Sequence, residues 1–220
     1  ANSLWPYFRD INSYASRVNY LMQQGNPSMD VALYIPFNGT LNNNSGAEKI
    51  LNENGYAWDA INDDALQNLA QWDAVNGNIK IEGSNMTYQA IVVQDTAVPV
   101  KTMEALRALA EEGAPVVFYG ESLPNKHPGF ANGEFADYDA RVATISEKIT
   151  TESEGTWATN GNALVSALGN NGKISYEHNP NLRFARRTLD DGGELAYFRN
   201  TESTENTVSI EVASNYKNLY

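Results

Sequence analysis

Residues 89–120 constrain the fold of this chain most tightly. Gln89-Ala90-Ile91-Val92-Val93-Gln94 and Pro115-Val116-Val117-Phe118-Tyr119-Gly120 are continuous apolar runs rich in β-favouring residues. Such runs suit strands covered on both faces, because a strand with one wet face alternates instead. Between them, residues 100–112 carry Met103, Leu106, Leu109 and Ala110 at helical spacing, and Gly113 supplies the stop. A strand–helix–strand unit of this kind closes as a right-handed crossover between parallel neighbours. The expectation is an α/β fold, a mostly parallel sheet with helices on both faces.

The flanking text extends this pattern. Over residues 4–24, Leu4, Phe8, Ile11, Ala15, Val18 and Leu21 recur at steps of three and four, as one buried helical stripe requires, with Pro6 in the first turn and Gly25 at the end. Asp30-Val31-Ala32-Leu33-Tyr34-Ile35-Pro36 reads as a strand covered on both faces. Residues 37–54 are Asn- and Gly-rich and predict a long excursion with one short helical turn over 47–51. Residues 55–62 hold a short second strand, followed by a helix through Ala65, Leu66, Leu69 and Ala70, capped by Asn62 or Asp63. Ile79 and Ile81 predict an edge strand, and residues 138–149 and 162–168 two further helices. From Ile174 the character changes: residues 182–187, a turn over 189–194, residues 195–200 and residues 207–212 predict a small antiparallel extension of three strands.

Composition narrows the chemistry. With 220 residues, the chain buries roughly 70% of the surface its extended form exposes, so a core forms without metal or disulfide staples. Lys plus Arg total 15 against 27 Asp plus Glu, and a net charge of −12 opposes binding to phosphate backbones, so no nucleic-acid partner is expected. The absence of Cys excludes disulfides, thiol nucleophiles and thiolate metal sites. No run approaches the length needed to span a bilayer, so no membrane insertion is expected. Residues 1–5 show no basic and apolar leader pattern.

Motifs that hold cofactors are missing. The first strand runs into Ile35-Pro36-Phe37-Asn38-Gly39-Thr40, which is no glycine-rich pyrophosphate turn, and neither a P-loop, a His-Glu-x-x-His pair nor a calcium loop occurs. No cofactor, metal ligand or catalytic residue is assigned on these grounds. Gly120-Glu121-Ser122 lacks the second glycine of a nucleophile elbow, since position 124 is Pro, and reads as a solvated loop. His127 and His178 sit in turn-rich text that needs no catalytic role. Asp63 and Asp64 fit a helix start, and Asp190 and Asp191 a hairpin turn.

Two alternatives stay open. Asp95 and Glu121 both fall where parallel strands end, the edge at which such sheets bind ligands, and a pair of carboxyls there would suit glycoside chemistry. Tyr56 and Trp58 flank Ala57 and share one face of a strand, where they either stack on a sugar or pack into the core. Trp5, Tyr7, Phe8, Tyr14 and Tyr20 read as helix-face or subdomain-contact residues. Asn38, Asn43 and Asn85 begin glycosylation sequons that occur readily by chance.

Longer phrases add a context. Trp5-Pro6-Tyr7-Phe8-Arg9-Asp10-Ile11-Asn12-Ser13-Tyr14-Ala15-Ser16-Arg17-Val18-Asn19-Tyr20-Leu21-Met22-Gln23-Gln24-Gly25 and Gly55-Tyr56-Ala57-Trp58-Asp59-Ala60-Ile61-Asn62-Asp63-Asp64 resemble the region after the catalytic barrel in bacterial α-L-rhamnosidases of glycoside hydrolase family 106. Met103-Glu104-Ala105-Leu106-Arg107-Ala108-Leu109 is similar to that family's flavodoxin-like or amidotransferase-like accessory domain, and Leu182-Arg183-Phe184-Ala185-Arg186-Arg187 to the start of its following β region. The resemblance implies a Rossmann-like or flavodoxin-like three-layer domain over residues 1–173. Residues 174–220 are then a β-rich extension or the start of a following β domain.

It further implies a non-catalytic accessory domain of an extracytoplasmic rhamnoside hydrolase, periplasmic or secreted. Such a domain docks against the catalytic barrel of the same enzyme and borders its glycan cleft, and the two catalytic carboxyls lie outside this chain. The alternatives are an independent carbohydrate-binding module, using Tyr56, Trp58 and the loops at Asp95 and Glu121, and a structural domain that forms homo-oligomers.

Overall fold

The computed structural model describes residues 3–36, 39, 46–68, 72–75, 77–129, 137–169 and 174–212. A 3-10 turn, Trp5–Tyr7, leads into α1 (Phe8–Met22) and a two-residue strand β1 (Asn26–Pro27). Then come β2 (Val31–Tyr34), α2 (Gly46–Glu53), β3 (Trp58–Ile61), α3 (Asp63–Gln67), and three short strands β4 (Trp72–Val75), β5 (Asn78–Ile81) and β6 (Thr87–Tyr88). The central passage is β7 (Ala90–Val93), α4 (Val100–Glu111), β8 (Val116–Tyr119), α5 (Tyr138–Glu152), β9 (Gly155–Ala158) and α6 (Gly161–Leu168). The described residues finish with β10 (Ile174–Tyr176), β11 (Leu182–Thr188), β12 (Glu194–Asn200) and β13 (Ile210–Val212).

Five parallel strands form one sheet in the order β3-β2-β7-β8-β9. In chain order this is 2-1-3-4-5, one of the two common doubly wound arrangements, and its direction reverses between β2 and β7. Every residue of β2 and β7 is buried, because helices cover both faces. Odd positions Val31, Leu33 and Val92 meet Leu51 of α2 and Leu164 of α6 on one side. Tyr34, Ile91 and Val93 meet Met103 and Leu106 of α4 and Val142 and Ile149 of α5 on the other. Alternation along a strand thus feeds two cores, which is why these strands read as unbroken apolar runs. The α/β class and the three layers expected from the sequence are present.

The structure corrects several local readings. β9 is a fifth parallel strand in a stretch read as connection between helices. Residues 46–53 form a two-turn helix rather than a single turn over 47–51. α3 ends at Gln67, capped by Asn62, whose side chain accepts from the Ala65 amide at 3.0 Å; the expected continuation at Leu69 and Ala70 lies outside the described residues. β5 is the middle of an antiparallel trio β4-β5-β6 rather than an edge. That trio is fastened to the body by Trp72, whose indole N–H donates to the Ala65 carbonyl at 2.7 Å, and by the buried Ile79 and Tyr88.

The C-terminal strands also pair differently from the expected trio. β11 and β12 form the hairpin, with Asp191 accepting from the Gly193 amide in its turn. The third strand on this sheet is β1 from the other end of the chain, while β13 pairs with β10. Arg186 on β11 is fully buried and donates to Asp30 at 2.6 Å, and the other Asp30 oxygen accepts from the Ala57 amide at 2.8 Å. This ion pair locks the hairpin to the entry of β2, and removing one partner would leave a charge stranded in the interior.

The largest departure concerns α1. Its apolar stripe was expected to be buried, yet none of its residues is. Trp5 is 74% exposed and Ile11 45%. Periodicity shows that one face of a helix is apolar; it does not say what covers that face.

Candidate functional site

In a doubly wound sheet, ligands bind outside the carboxyl ends of the strands at the point where strand order reverses, here between β2 and β7. The residue after β7, Gln94, occupies that point. Its side-chain oxygen accepts from the Ala47 amide at 2.9 Å, and its side-chain nitrogen donates to Glu48 at 2.9 Å. Gly46 makes the approach feasible: its φ is +63°, and a Cβ there would lie 2.4 Å from the Gln94 oxygen. The start of α2, whose free amides would attract an anion in a nucleotide-binding relative of this architecture, is instead held by a glutamine and a buried glutamate.

Asp95 adjoins this cluster. Burial, and secondarily the charge of Glu48, push its carboxyl above the ordinary range. A raised carboxyl beside a second carboxylate is the electrostatic signature of an acid/base pair. Glu48 is 2% exposed and accepts from Gln94, so it presents little surface to a substrate. Glu121, the partner considered for Asp95 from sequence, is fully on the surface after β8, as is Ser122. Glu48 and Gln94, which define the electrostatics here, escaped sequence reading because one fell in an excursion and the other looked like the end of a strand.

The other carboxylates serve the scaffold. Asp63 accepts from the hydroxyls of Tyr34 at 2.8 Å and Thr102 at 2.6 Å, and so ties α3 to β2 and α4. Burial and Asp63 raise the Tyr34 hydroxyl, which stays protonated. Asp64 lies in the first turn of α3 and Asp190 in the hairpin turn. His127 accepts the Val100 amide at 3.1 Å, capping the start of α4, and packs edge-on against Tyr138 at 4.8 Å. His178 is exposed, 3.8 Å from Glu53.

Of the aromatic candidates, Tyr56 is buried and its hydroxyl donates to the Gly169 carbonyl; Trp58 is half-buried with its indole N–H on Asn52 at 3.1 Å. Both join the core on the α2–α6 side, which leaves Tyr56 no open face for a sugar. Trp157, which the sequence reading passed over with β9, is 44% exposed, its N–H on the Gly120 carbonyl at 3.0 Å. Asn85 is exposed, while Asn38 and Asn43 lie outside the described residues.

A groove of about 580 Å³ runs between α4 and α5. Arg107 pairs with Glu111 at 2.6 Å and Arg141 with Glu104 at 2.7 Å, and Asp137 adds one further carboxylate to the lining, so the groove concentrates little charge for a ligand.

A further surface of distinct character among the described residues is α1. Phe8, Ile11, Tyr14, Val18 and Leu21 fall on one side of the helix, and all but Val18 are exposed. Two anchors hold the helix to the body. Arg187 on β11 donates to the carbonyls of Gln24 and Gly25 just past its end, and the hydroxyls of Tyr14 and Tyr197 meet on its side. Gly25, at φ +56°, makes the first anchor possible, since a Cβ there would lie 2.1 Å from the Thr188 carbonyl oxygen.

No curated protein matches the chain. Its fold is similar to that of a rhamnosidase from Novosphingobium sp. PP1Y, with a TM-score of 0.63 at 17% identity over 86% of this chain. The matched part is 19% of that rhamnosidase. The model of the glycoside hydrolase family 106 α-L-rhamnosidases matches residues 2–218, nearly end to end, and the chain belongs to that family.

Proposed function

We propose that the chain is a non-catalytic accessory domain of an α-L-rhamnosidase, packed against the catalytic barrel of the enzyme, which hydrolyses a terminal rhamnosidic bond with carboxyl groups outside these residues. The observation that carries this reading is the self-filled edge of the parallel sheet. Gln94 bonds the Ala47 amide and Glu48 at the switch point where this architecture ordinarily holds a ligand, and the carboxylate acting on Asp95 there is the buried Glu48. The matched fraction of the similar rhamnosidase supports it, since a fold that makes up 19% of a longer enzyme leaves most of that chain for other work. A sugar-binding role for Tyr56 is disfavoured by its burial.

The test is hydrolysis of an aryl α-L-rhamnoside by the purified 220-residue chain. No turnover above the buffer rate is expected, and Asp95→Asn or Glu121→Gln should change nothing. Turnover that either substitution abolishes would overturn the reading.

A further inference from the structure

The exposed face of α1 calls for a partner on energetic grounds. A helix of 15 residues is marginal in water by itself, and most helical stability in proteins comes from burial of an apolar face. Here that face is built and left open: Phe8, Ile11, Tyr14 and Leu21 are all more than a third exposed, and the Trp5 ring lies tilted against Phe8 with centroids 5.6 Å apart. Its composition is that of an interface core, aromatic and aliphatic with arginine nearby, here Arg9 and Arg17.

Building on the accessory-domain reading, we infer that this face is the docking surface and that its occupant is an apolar patch on the larger remainder of the rhamnosidase. Three observations select that occupant over a second copy. The family match begins at residue 2, so α1 belongs to the family's own segment. In the similar rhamnosidase the fold is embedded in a chain of which it forms 19%, so a much larger body of the same polypeptide is available to cover it. Each copy of this chain carries −12, and that like charge opposes self-association.

The test expresses the remaining polypeptide of the enzyme's reading frame separately and titrates it with the 220-residue chain, in wild-type form, as Phe8→Asp/Ile11→Asp, and as Ser13→Asp/Ser16→Asp on the opposite side of the helix. None of these positions is buried, so the circular dichroism of the sheet body should be unchanged. The apolar-face variant should bind at least about 30-fold more weakly, the loss expected for two central interface anchors, while the control binds as wild type. Equal binding by all three forms would overturn the assignment of α1 and leave the accessory reading standing. A dimer of the chain that Phe8→Asp/Ile11→Asp dissolves, without affinity for the remainder, would overturn the occupant. Rhamnoside hydrolysis by the chain alone would instead overturn the reading on which the inference rests.

Discussion

The five-stranded sheet and α1 have comparable apolar patterning and opposite fates. Val31, Leu33, Ile91, Val92 and Val116 vanish from solvent between two helical layers, whereas Phe8, Ile11 and Tyr14, spaced just as regularly, face water. The sheet finds its partners within the chain, because each β–α–β crossover returns a helix onto the face it has just created. α1 precedes the first strand and belongs to no crossover, so nothing in the connectivity brings it back over the sheet. It is held at its end by Arg187 and at its side by a tyrosine pair. Hydrophobic periodicity therefore reports a demand for burial, and topology decides whether the same chain meets it.

The comparison is broken most readily at Arg186. Arg186→Ala leaves the Asp30 carboxylate buried beside the Ala57 amide with its charge uncompensated, and a loss of about 3–5 kcal/mol in urea unfolding is expected. A loss comparable to a surface substitution would show that the hairpin is not locked to the sheet. Next in size is a matched pair. Leu106→Ala removes a fully buried side chain between α4 and the sheet and should cost about 2–5 kcal/mol. Ile11→Ala, on the open face of α1, should change stability by no more than about 0.5 kcal/mol. Equal losses would mean that α1 is packed in solution.

A small effect of the opposite sign is expected at Asp95. Burial and Glu48 favour its neutral form in the folded protein, so its folded pKa lies above the ordinary 3.8. Its favourable contribution is complete below that value and is lost as pH rises through the folded pKa, so at neutral pH the charged group opposes folding. Asp95→Asn should therefore stabilise the chain slightly at pH 7, and the advantage should disappear on acidification below 3.8. An advantage that grows in acid would reverse the assigned sign.

The sequence made the layers legible where strands are buried on both faces, since β2, β7 and β8 are unbroken apolar runs with α4 between the last two. It hid β9, because Gly155-Thr156-Trp157-Ala158 is an edge strand of mixed polarity with no run and no alternation to announce it. It hid the β1–β11 pairing for a different reason: two residues carry no periodicity, and their partner lies some 160 positions away. The candidate site was half legible. Asp95 was placed at the correct edge, but its electrostatic neighbour is Glu48, which the fold delivers through α2 rather than through the adjacent strand loop. For α1 the stripe and both helix ends were readable, while its exposure follows from topology alone.

Amide hydrogen exchange on the isolated chain, at a concentration where sedimentation shows monomer, tests the contrast between these two regions most directly. The amides of β2, β7 and β8 should exchange only on global unfolding, and those of Phe8–Met22 should exchange by local opening, orders of magnitude faster. Protection of α1 equal to that of the sheet, in the monomer, would contradict the account.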